Sequence, residues 1–294
     1  MQAILRKIDS NDANSFVART DKFSHFYNKW HFHPELELTY IIHGKGNRFV
    51  GDSIEFFEDG DLVLIGANLP HVWKNDSSYF EGRDNQIAMA NVIQFLPKFF
   101  GETFYGLKEL ENVRTLFEKS KLGLRIEGET KVEVVYLMTK IFDTENSLKR
   151  LCILLEILEL IAISDDLKQL SSQAFVDAYQ KFDTQKINKV YEFTLNQYHR
   201  KILIEEAAIV ANMSVPNFCK YFKSRTQKTY IQFLTEVKIG FACRMLIENK
   251  KSIQQIAFDC GFHNLSNFNR SFRLLKKQKP AEYKQVFGGL KNDS

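Results

Sequence analysis

The last hundred residues carry one pattern twice, and this repeat constrains the fold more than any other feature of the chain. In segments 204–223 and 253–273, small and branched apolar residues come first, a turn follows, and two phenylalanines spaced four apart come last. The offset is 49 residues before the turn and 50 after it, because one extra residue, His263, falls within the second turn. An insertion confined to a turn indicates duplicated folding units, and the pattern predicts two helix-turn-helix motifs.

Charge is distributed unevenly along the 294 residues, a length that suggests about two domains. Residues 186–294 carry 19 Lys and Arg against 8 Asp and Glu, a net charge of +11, whereas the remainder carries 21 against 28, a net charge of −7. The overall charge of +4 conceals this separation. A basic carboxyl-terminal third beside an acidic remainder predicts that one domain binds the phosphates of a nucleic acid.

Each repeat supplies the parts that a helix-turn-helix needs. In the first repeat, Ser214 is the expected N-cap of the second helix, and Phe218 and Phe222 are its expected core anchors. In the second repeat, Asn264 takes the capping position and Phe268 begins the equivalent pair. The remaining positions of these two helices therefore face outward.

The outward positions carry side chains that contact bases and phosphates. Arg and Lys suit guanine edges, Asn suits adenine, and Ser suits either. The DNA-binding residues predicted in this way are Pro216, Asn217, Cys219, Lys220 and Lys223 in the first repeat, and Leu265, Ser266, Asn267, Asn269, Arg270 and Arg273 in the second. A helix predicted at 236–248 would hold the two units together, so that they enter adjacent major-groove segments about 34 Å apart.

A single unit of this kind is also typical of an ordinary helical bundle with a solvated basic face. Two units at matching spacing, each with Lys or Arg at the same two positions, favour DNA binding instead. The second repeat offers more groups that recognise bases than the first. We therefore expect its half of each DNA site to tolerate fewer base changes.

The second repeat resembles the signature of AraC/XylS-type transcription regulators. The resemblance rests on the pattern Ile253-x2-Ile256-Ala257-x3-Gly261-Phe262-x3-Ser266-x-Phe268-x-Arg270-x-Phe272-Arg273, followed by Pro280-x2-Tyr283-Lys284. It extends over residues 186–287 and implies a seven-helix DNA-binding domain. The partners that it implies are double-stranded DNA, a small-molecule effector, a second copy of the chain and RNA polymerase.

Three positions depart from the family pattern. Gln227 and Lys277 stand where family members often carry glycine, which suggests differently shaped loops after both reading helices. Lys238 stands where an arginine is expected, a change that keeps the charge but loses the bidentate fork.

The amino-terminal part predicts strands first and helices afterwards. The β-prone runs between turn glycines are 36–42, 47–50, 53–57, 61–65 and 86–95. Short strands at this spacing suggest a sandwich or barrel. The helical candidates are 107–119, 130–142 and 147–163. The last is apolar nearly all round, which predicts either a core helix or a helix shared with a second subunit.

We expect an effector-sensing and dimerisation domain at 1–163, a more polar connection at 164–185, and a DNA-binding domain at 186–288. Residues 1–12 lack the apolar core of a secretion signal, and the segment 151–163 is too short to span a bilayer. The four cysteines show no CxxC spacing, so zinc and disulfide interpretations lack support. These features predict a cytoplasmic protein.

Four residues of the amino-terminal part stand at the spacing of the two sequence motifs of cupin barrels. They are His31, His33, Glu37 and His71, although Gly66 replaces the usual proline of the second motif. Three imidazoles and a carboxylate suit Fe, Mn, Ni or Zn and leave coordination positions for a substrate. The same pattern also fits an effector pocket without metal, or a structural remnant. Sequence alone leaves these three interpretations open.

The sequence predicts an α+β chain: an amino-terminal cupin-like β-barrel with a helical segment, and an all-α carboxyl-terminal domain with two helix-turn-helix motifs. The expected function is transcription regulation, with DNA affinity modulated by a small molecule, a sugar among the candidates, bound in the barrel. We expect neither enzyme activity nor an obligatory cofactor. The alternatives are a cupin metalloenzyme, such as an oxygenase or isomerase, with a DNA-binding appendage, and a barrel that serves only as a dimerisation scaffold.

Overall fold

The computed structural model describes residues 4–5, 15–27, 29–80, 87–180 and 185–288. Contacts divide the chain into an amino-terminal unit, made of residues 4–53 and 57–176, and a carboxyl-terminal unit that contains residues 177 onward. The division at 176 and 177 lies inside the connection predicted at 164–185. That segment also contains regular structure, a short strand and a helix.

The amino-terminal unit contains two sheets. Its strands are β1 (Ile4–Leu5), β2 (Phe16–Phe23), β3 (His31–Phe32), β4 (Leu36–His43), β5 (Gly46–Val50), β6 (Ser53–Phe57), β7 (Leu62–Ile65), β8 (His71–Asn75), β9 (Ala88–Phe95), β10 (Leu124–Ile126) and β11 (Leu167–Gln169). One sheet has the order β1-β3-β8-β5-β6, and the other has the order β11-β10-β7-β4-β9-β2. β1 pairs with β3 in parallel, whereas the main ladders are antiparallel.

The α+β class is confirmed, but a closed cupin-like barrel is not. The strands form two separate sheets, each with two end strands, and no pairing joins them into one closed sheet among the described residues. The strands predicted at 36–42, 47–50, 53–57 and 61–65 each match an observed strand to within one residue at either end. β2 was not predicted, and it supplies the long edge ladder beside β9.

Strand β4 separates two environments by its two-residue period. Leu36 and Leu38 point to one face and pack in an apolar cluster with residues of the helices. Glu37 and Thr39 point to the opposite face and are nevertheless buried. Both faces of this sheet are therefore covered, and the second face carries polar groups.

Helices cover the apolar face. They are α1 (Glu102–Tyr105), α2 (Glu111–Ser120), α3 (Gly128–Asp143) and α4 (Ser147–Ala162), followed after β11 by α5 (Gln173–Gln180). In α4 the buried residues are Leu154, Ile157, Leu158 and Ile161, which line one face at helical spacing. Helix α4 is therefore a core helix, although Leu148 in its first turn is 70% exposed.

Between residues 185 and 288, all regular secondary structure of the carboxyl-terminal unit is helical. Its seven helices are α6 (Gln185–Gln197), α7 (Ile204–Val210), α8 (Val215–Thr226), α9 (Tyr230–Glu248), α10 (Ile253–Asp259), α11 (Leu265–Lys276) and α12 (Pro280–Gly288). The number of helices agrees with what the family resemblance implies. Helices α7 and α8 form the first predicted helix-turn-helix, and α10 and α11 form the second.

The loops after both reading helices have the shape that glycine would give them. Gln227 ends α8 with φ 58°, and Lys277 ends α11 with φ 60°, both in the left-handed region. The expectation of differently shaped loops is therefore wrong. The two side chains accept a conformation that costs an L-residue about 1–2 kcal/mol.

In the described part of the chain, no helix combines the length and the apolar character needed to cross a membrane.

Candidate functional site

The two reading helices α8 and α11 are anchored by the same aromatic geometry. Phe218 and Phe222 are fully buried with ring centroids 5.7 Å apart and an interplanar angle of 52°. Phe268 and Phe272 are also fully buried, with the same distance and the same angle. Because both helices sit on their anchors in the same way, the same positions of each helix are turned outward.

All eleven predicted DNA-binding residues are exposed. They are Pro216, Asn217, Cys219, Lys220 and Lys223 on α8, and Leu265, Ser266, Asn267, Asn269, Arg270 and Arg273 on α11. Within α11, the Arg270 guanidinium donates to Asn267 Oδ1 at 3.1 Å, which aligns two polar groups along the outer face. The structure thus brings the predicted residues of each helix onto one exposed surface.

Helix α9 fixes the first reading helix, and α12 fixes the second. The ring of Tyr230, at the start of α9, lies 5.4 Å from the rings of both Phe218 and Phe222. The ring of Tyr283, on α12, lies 5.4 Å from that of Phe272. Burial raises the pKa of Tyr230 to about 12, and its hydroxyl is hydrogen-bonded to Thr194 at 3.0 Å. These aromatic contacts make the two motifs parts of one packed unit.

The buried side chain of Lys238 supports the turn of the second motif. Its ammonium donates to the main-chain oxygen of Gly261 at 2.6 Å, and burial lowers the pKa of this lysine. Gly261 has φ +72°, in the left-handed region that favours glycine. The lysine in place of the family's arginine is therefore a structural support for the turn, and it lies too deep to reach DNA.

A groove of about 1060 Å³ runs between the start of α9 and helix α11. Asn267, Arg270 and Arg273 border it on one side, and Gln232 and Thr235 border it on the other. The polar groups predicted to recognise bases therefore line a concave surface that continues onto α9. Sequence analysis did not identify Gln232 and Thr235, because they lie outside both repeats.

The second candidate site is a buried cluster of histidines between the two sheets of the amino-terminal unit. His31 on β3 pairs directly across from His71 on β8, and His33 follows β3 by one residue. All three are at most 4% exposed. One nitrogen of each ring lies within 4.8 Å of one nitrogen of each of the other two. The three predicted histidines therefore come together as the spacing of the cupin motifs indicated.

Glu37 completes this cluster from the opposite sheet. Its Oε2 lies 3.1 Å from His33 Nε2, and its Oε1 lies 3.9 Å from His71 Nε2. Burial alone would raise the pKa of this carboxyl, but the hydrogen bond with His33 and the nearby imidazoles hold the pKa well below its usual range. Burial, with His71 close by, also keeps the pKa of His31 well below its usual value.

Two further polar groups orient the carboxylate, and sequence analysis did not predict them. Thr39 Oγ1 donates to Glu37 Oε1 at 2.8 Å, and Gln94 Nε2 donates to Oε2 at 2.5 Å. Gln94 in turn accepts from the Arg19 guanidinium. The alternation of β4 places Thr39 beside Glu37, but Gln94 becomes a neighbour only through the register of β9, which is a long-range pairing.

A small cavity opens next to the cluster. It holds about 50 Å³ for solvent, and His31 and Glu37 form part of its wall together with Tyr27, Trp73 and Arg19. Such a volume accommodates about four water molecules. Trp73 is buried and also lines this cavity.

Arg48 does not take part in this site. This residue is 1% exposed and forms an ion pair with Asp61. The guanidinium of Arg125 lies 3.4 Å from the other oxygen of the same carboxylate. The arginine is therefore a structural element of the amino-terminal unit.

Sequence comparison places the chain among transcription regulators. A family model described as a helix-turn-helix domain matches residues 207–285. The probable transcriptional regulator LumQ of Photobacterium leiognathi is 23% identical over 259 residues, which cover 86% of this chain and 91% of LumQ. The HTH-type transcriptional activator RhaS of Enterobacter sp. (strain 638) is 22% identical over 260 residues, which cover 87% of each protein. Both relatives are named as regulators and neither as an enzyme, in agreement with the expectation for this chain.

Among solved structures, a probable AraC family transcriptional regulator from Rhodopseudomonas palustris CGA009 is similar to part of this chain. It is 25% identical and covers 34% of this chain and 95% of that chain, with a TM-score of 0.33.

Proposed function

We infer that the chain is a DNA-binding transcription regulator of the AraC/XylS family, and from this premise we propose that α8 and α11 are its two reading helices. The observation that carries the proposal is the matched anchoring of the two helices, with the same ring separation and angle in each phenylalanine pair. Because the two helices are anchored in the same way, they expose equivalent positions. The two helices would therefore enter successive major-groove segments on the same side of the duplex.

The two helices would contribute unequally to sequence recognition. On α11, Arg270, Asn267 and Asn269 supply bidentate groups for guanine and adenine edges. On α8, the exposed face offers Lys220 and Lys223, which bind phosphates as point charges. We therefore assign most base recognition to α11 and a larger share of backbone contact to α8.

Two substitutions test this assignment. Arg270→Ala should weaken binding to the specific site by about 5- to 150-fold, the equivalent of about 1–3 kcal/mol, with little change on random DNA. Lys223→Ala should weaken both about equally and reduce the slope of log affinity against log salt by about one. Fluorescence anisotropy over a salt series measures both quantities. Lys250→Ala, an exposed lysine outside both reading helices, is the matched control.

Equal losses on specific and random DNA for both variants would refute the division of roles. A loss with Lys250→Ala as large as that with Lys223→Ala would refute the assignment of α8 to the interface.

We further propose that the cavity beside the histidine cluster binds a small-molecule effector, and that effector binding changes the affinity for DNA. The support is a cavity wall that combines apolar side chains with the buried polar groups His31 and Glu37 and the partly exposed Arg19. An effector shifts the regulator between states only if it binds one state more tightly than the other. A hexose is larger than the cavity, so a sugar would require the wall to open.

The effector proposal is tested by measuring DNA affinity with and without candidate small molecules, using the wild-type chain and Trp73→Ala, which enlarges the cavity. An effector that alters DNA affinity of the wild type should act differently on the variant, because Trp73 forms part of the wall. A metabolite response that is identical in both proteins would place the effector elsewhere.

Dimerisation and contact with RNA polymerase also belong to the proposal. Leu148 on α4 and Tyr136 on α3 are 70% and 61% exposed, so these helices present apolar groups that a second copy would cover. Analytical ultracentrifugation tests this assembly. A chain that remains monomeric at micromolar concentration, with Leu148→Glu indistinguishable from wild type, would refute it.

A further inference from the structure

The hydrogen bonds of the three buried histidines fix which nitrogen carries the proton. Nδ1 of His31 lies 2.9 Å from the main-chain oxygen of Lys29, and Nδ1 of His71 lies 2.8 Å from that of Leu69. Nδ1 of His33 likewise lies 3.0 Å from a main-chain oxygen, that of Glu35. A carbonyl oxygen only accepts hydrogen bonds, so each Nδ1 carries the hydrogen. In the neutral imidazole this leaves the lone pair on Nε2, the pattern that surrounding groups impose on metal-ligating histidines.

The separations of the three rings match those around one metal ion. With a metal–nitrogen bond of about 2.0–2.1 Å, each ring centroid would lie about 3.2 Å from the ion, and pairs of centroids about 4.6–5.3 Å apart for angles between octahedral and tetrahedral. The observed separations are 4.3 Å for His31 and His71, 5.1 Å for His33 and His71, and 5.9 Å for His31 and His33. The separation of His33 and His71 lies in the expected range, and the other two lie about 0.3 Å below it and about 0.6 Å above it, so the His31 ring would have to shift by a few tenths of an ångström for all three rings to surround one ion.

The carboxylate of Glu37 supplies a fourth donor at a suitable distance. Two ligand atoms bound next to each other on one ion, each about 2.1 Å from it, lie about 3.0 Å apart. Glu37 Oε2 and His33 Nε2 are 3.1 Å apart. Nδ1 of His33 donates to a carbonyl oxygen, so two arrangements are compatible with the short distance between its Nε2 and the Glu37 carboxylate. Either Nε2 also carries a hydrogen and donates it to the carboxylate, or a bound cation lies between the two atoms. The hydrogen bonds from Thr39 and Gln94 hold the carboxylate in place, as supporting groups do around metal ligands.

We propose that Nε2 of His31, His33 and His71, together with the Glu37 carboxylate, bind one divalent transition-metal ion of the Fe, Mn, Ni or Zn class, and that this ion anchors the effector. Its role as effector anchor rests on the proposed function, whereas metal binding stands by itself. Four protein donors leave coordination positions open on an ion with octahedral preference. His31 and Glu37 are part of the cavity wall, so an open position would face the cavity.

The charge of such a centre indicates the class of ligand. A divalent ion with one carboxylate leaves a net charge of +1 in a buried site, and burial of an unpaired charge is costly. A small monoanionic oxygen ligand would neutralise that charge and also fits a cavity of about 50 Å³. The structure therefore favours a short carboxylate or hydroxycarboxylate over a neutral sugar.

Metal content of the full-length chain is the first test. Protein purified without chelators should contain about one metal ion per chain by inductively coupled plasma mass spectrometry. The same protein, stripped of metal and reloaded with Co(II) or Zn(II), should again contain about one ion per chain. His71→Ala should lose the ion, and Thr39→Val, which keeps all four ligands, should bind it about 10- to 100-fold more weakly. His43→Ala is the matched control, because His43 lies on the same strand as Glu37 but its side chain is 63% exposed.

Circular dichroism and thermal unfolding establish that each variant is folded. A wild-type chain that takes up no Co(II) or Zn(II), or a folded His71→Ala that binds either ion as tightly as wild type, would overturn the site. This result would leave DNA binding by α8 and α11 untouched, since anisotropy measures that separately.

The ligand class is tested on the Co(II)-loaded chain, whose visible spectrum reports the atoms bound to the ion. Glycolate should change the spectrum, whereas ethylene glycol, its neutral counterpart, should change it much less. An unchanged spectrum with glycolate, or an equal response to both, would overturn the assignment of an open position for a monoanionic oxygen ligand.

Discussion

The turn of the second helix-turn-helix offers a sharp test of how α11 is held, because Gly261 has no room for a side chain. A Cβ at this position would lie 2.6 Å from the main-chain oxygen of Tyr198, 2.8 Å from that of Arg200 and 2.9 Å from Lys238 Nζ. Two of the three atoms belong to the backbone and do not move without moving the chain. Gly261→Ala therefore combines a steric conflict with a left-handed backbone.

The cost follows from these two contributions. The left-handed conformation with φ +72° costs an alanine about 1–2 kcal/mol, and overpacking a filled site costs about 1–3 kcal/mol. Gly261→Ala should therefore destabilise the carboxyl-terminal unit by about 2–5 kcal/mol. Gly60→Ala is the matched control, because Gly60 has φ +87° and nothing within 4 Å of its added Cβ. It should cost its own unit only about 1–2 kcal/mol.

The two units can be followed by different signals. Both tryptophans of the chain, Trp30 and Trp73, belong to the amino-terminal unit, so their fluorescence during urea unfolding reports that unit. Far-UV circular dichroism reports the helices of both units, so the part of its transition that does not follow the fluorescence reports the carboxyl-terminal unit. Gly261→Ala should shift the dichroism transition and leave the fluorescence transition in place, and it should also weaken DNA binding. A shift no larger than that caused by Gly60→Ala would refute the steric account of the turn.

Four further substitutions test other parts of the structure. Lys277→Gly should stabilise the carboxyl-terminal unit by about 0.5–1 kcal/mol, because glycine relieves the left-handed strain at φ 60° at some entropic cost; a destabilised unit in urea unfolding would contradict this. Asn264→Ala should cost about 1 kcal/mol, since Asn264 Oδ1 accepts from the Asn267 main-chain N–H at 2.6 Å. Ser214→Ala should cost less, because Ser214 makes no capping bond, and equal effects on the two unfolding midpoints would contradict the cap assignment. Asp61→Ala should cost the amino-terminal unit about 3–5 kcal/mol by leaving Arg48 buried without its partner, and unchanged tryptophan fluorescence unfolding would refute the ion pair's importance.

The DNA-binding unit could be predicted from sequence because its information is local. The positions of Phe218 and Phe222 within one helix fix which residues of α8 face outward, and the same holds for Phe268 and Phe272 in α11. The left-handed backbone conformations of Gln227 and Lys277, which follow α8 and α11, could not be predicted. Neither glutamine nor lysine favours a left-handed conformation, so the residue type at these positions does not indicate it.

The histidine cluster was predictable in part. His31, His33, Glu37 and His71 were found by spacing, but their support comes from residues that are distant in sequence. Gln94 reaches Glu37 through the pairing of β9 with β4, and Arg19 reaches Gln94 through the unpredicted strand β2. Strand order also decides whether a sheet closes. No local pattern carries that information, so the closed barrel was predicted and two separate sheets were found.

The burial of Arg48 shows the same limit. The strand pattern does not show whether the side chain of Arg48 is buried. Burial of its charge is tolerated because Asp61, on a neighbouring segment, forms an ion pair with it. Pairing between charged residues thirteen positions apart has no helical or strand periodicity to reveal it.

The central claim is that one chain inserts two helices, α8 and α11, into adjacent turns of the major groove. Selection of binding sites from random DNA with the purified chain, followed by sequencing, tests this most directly. The account predicts two enriched blocks whose centres lie about 10–10.5 base pairs apart, with Arg270→Ala relaxing only one of them. A single enriched block, or relaxation of both blocks by Arg270→Ala, would contradict it.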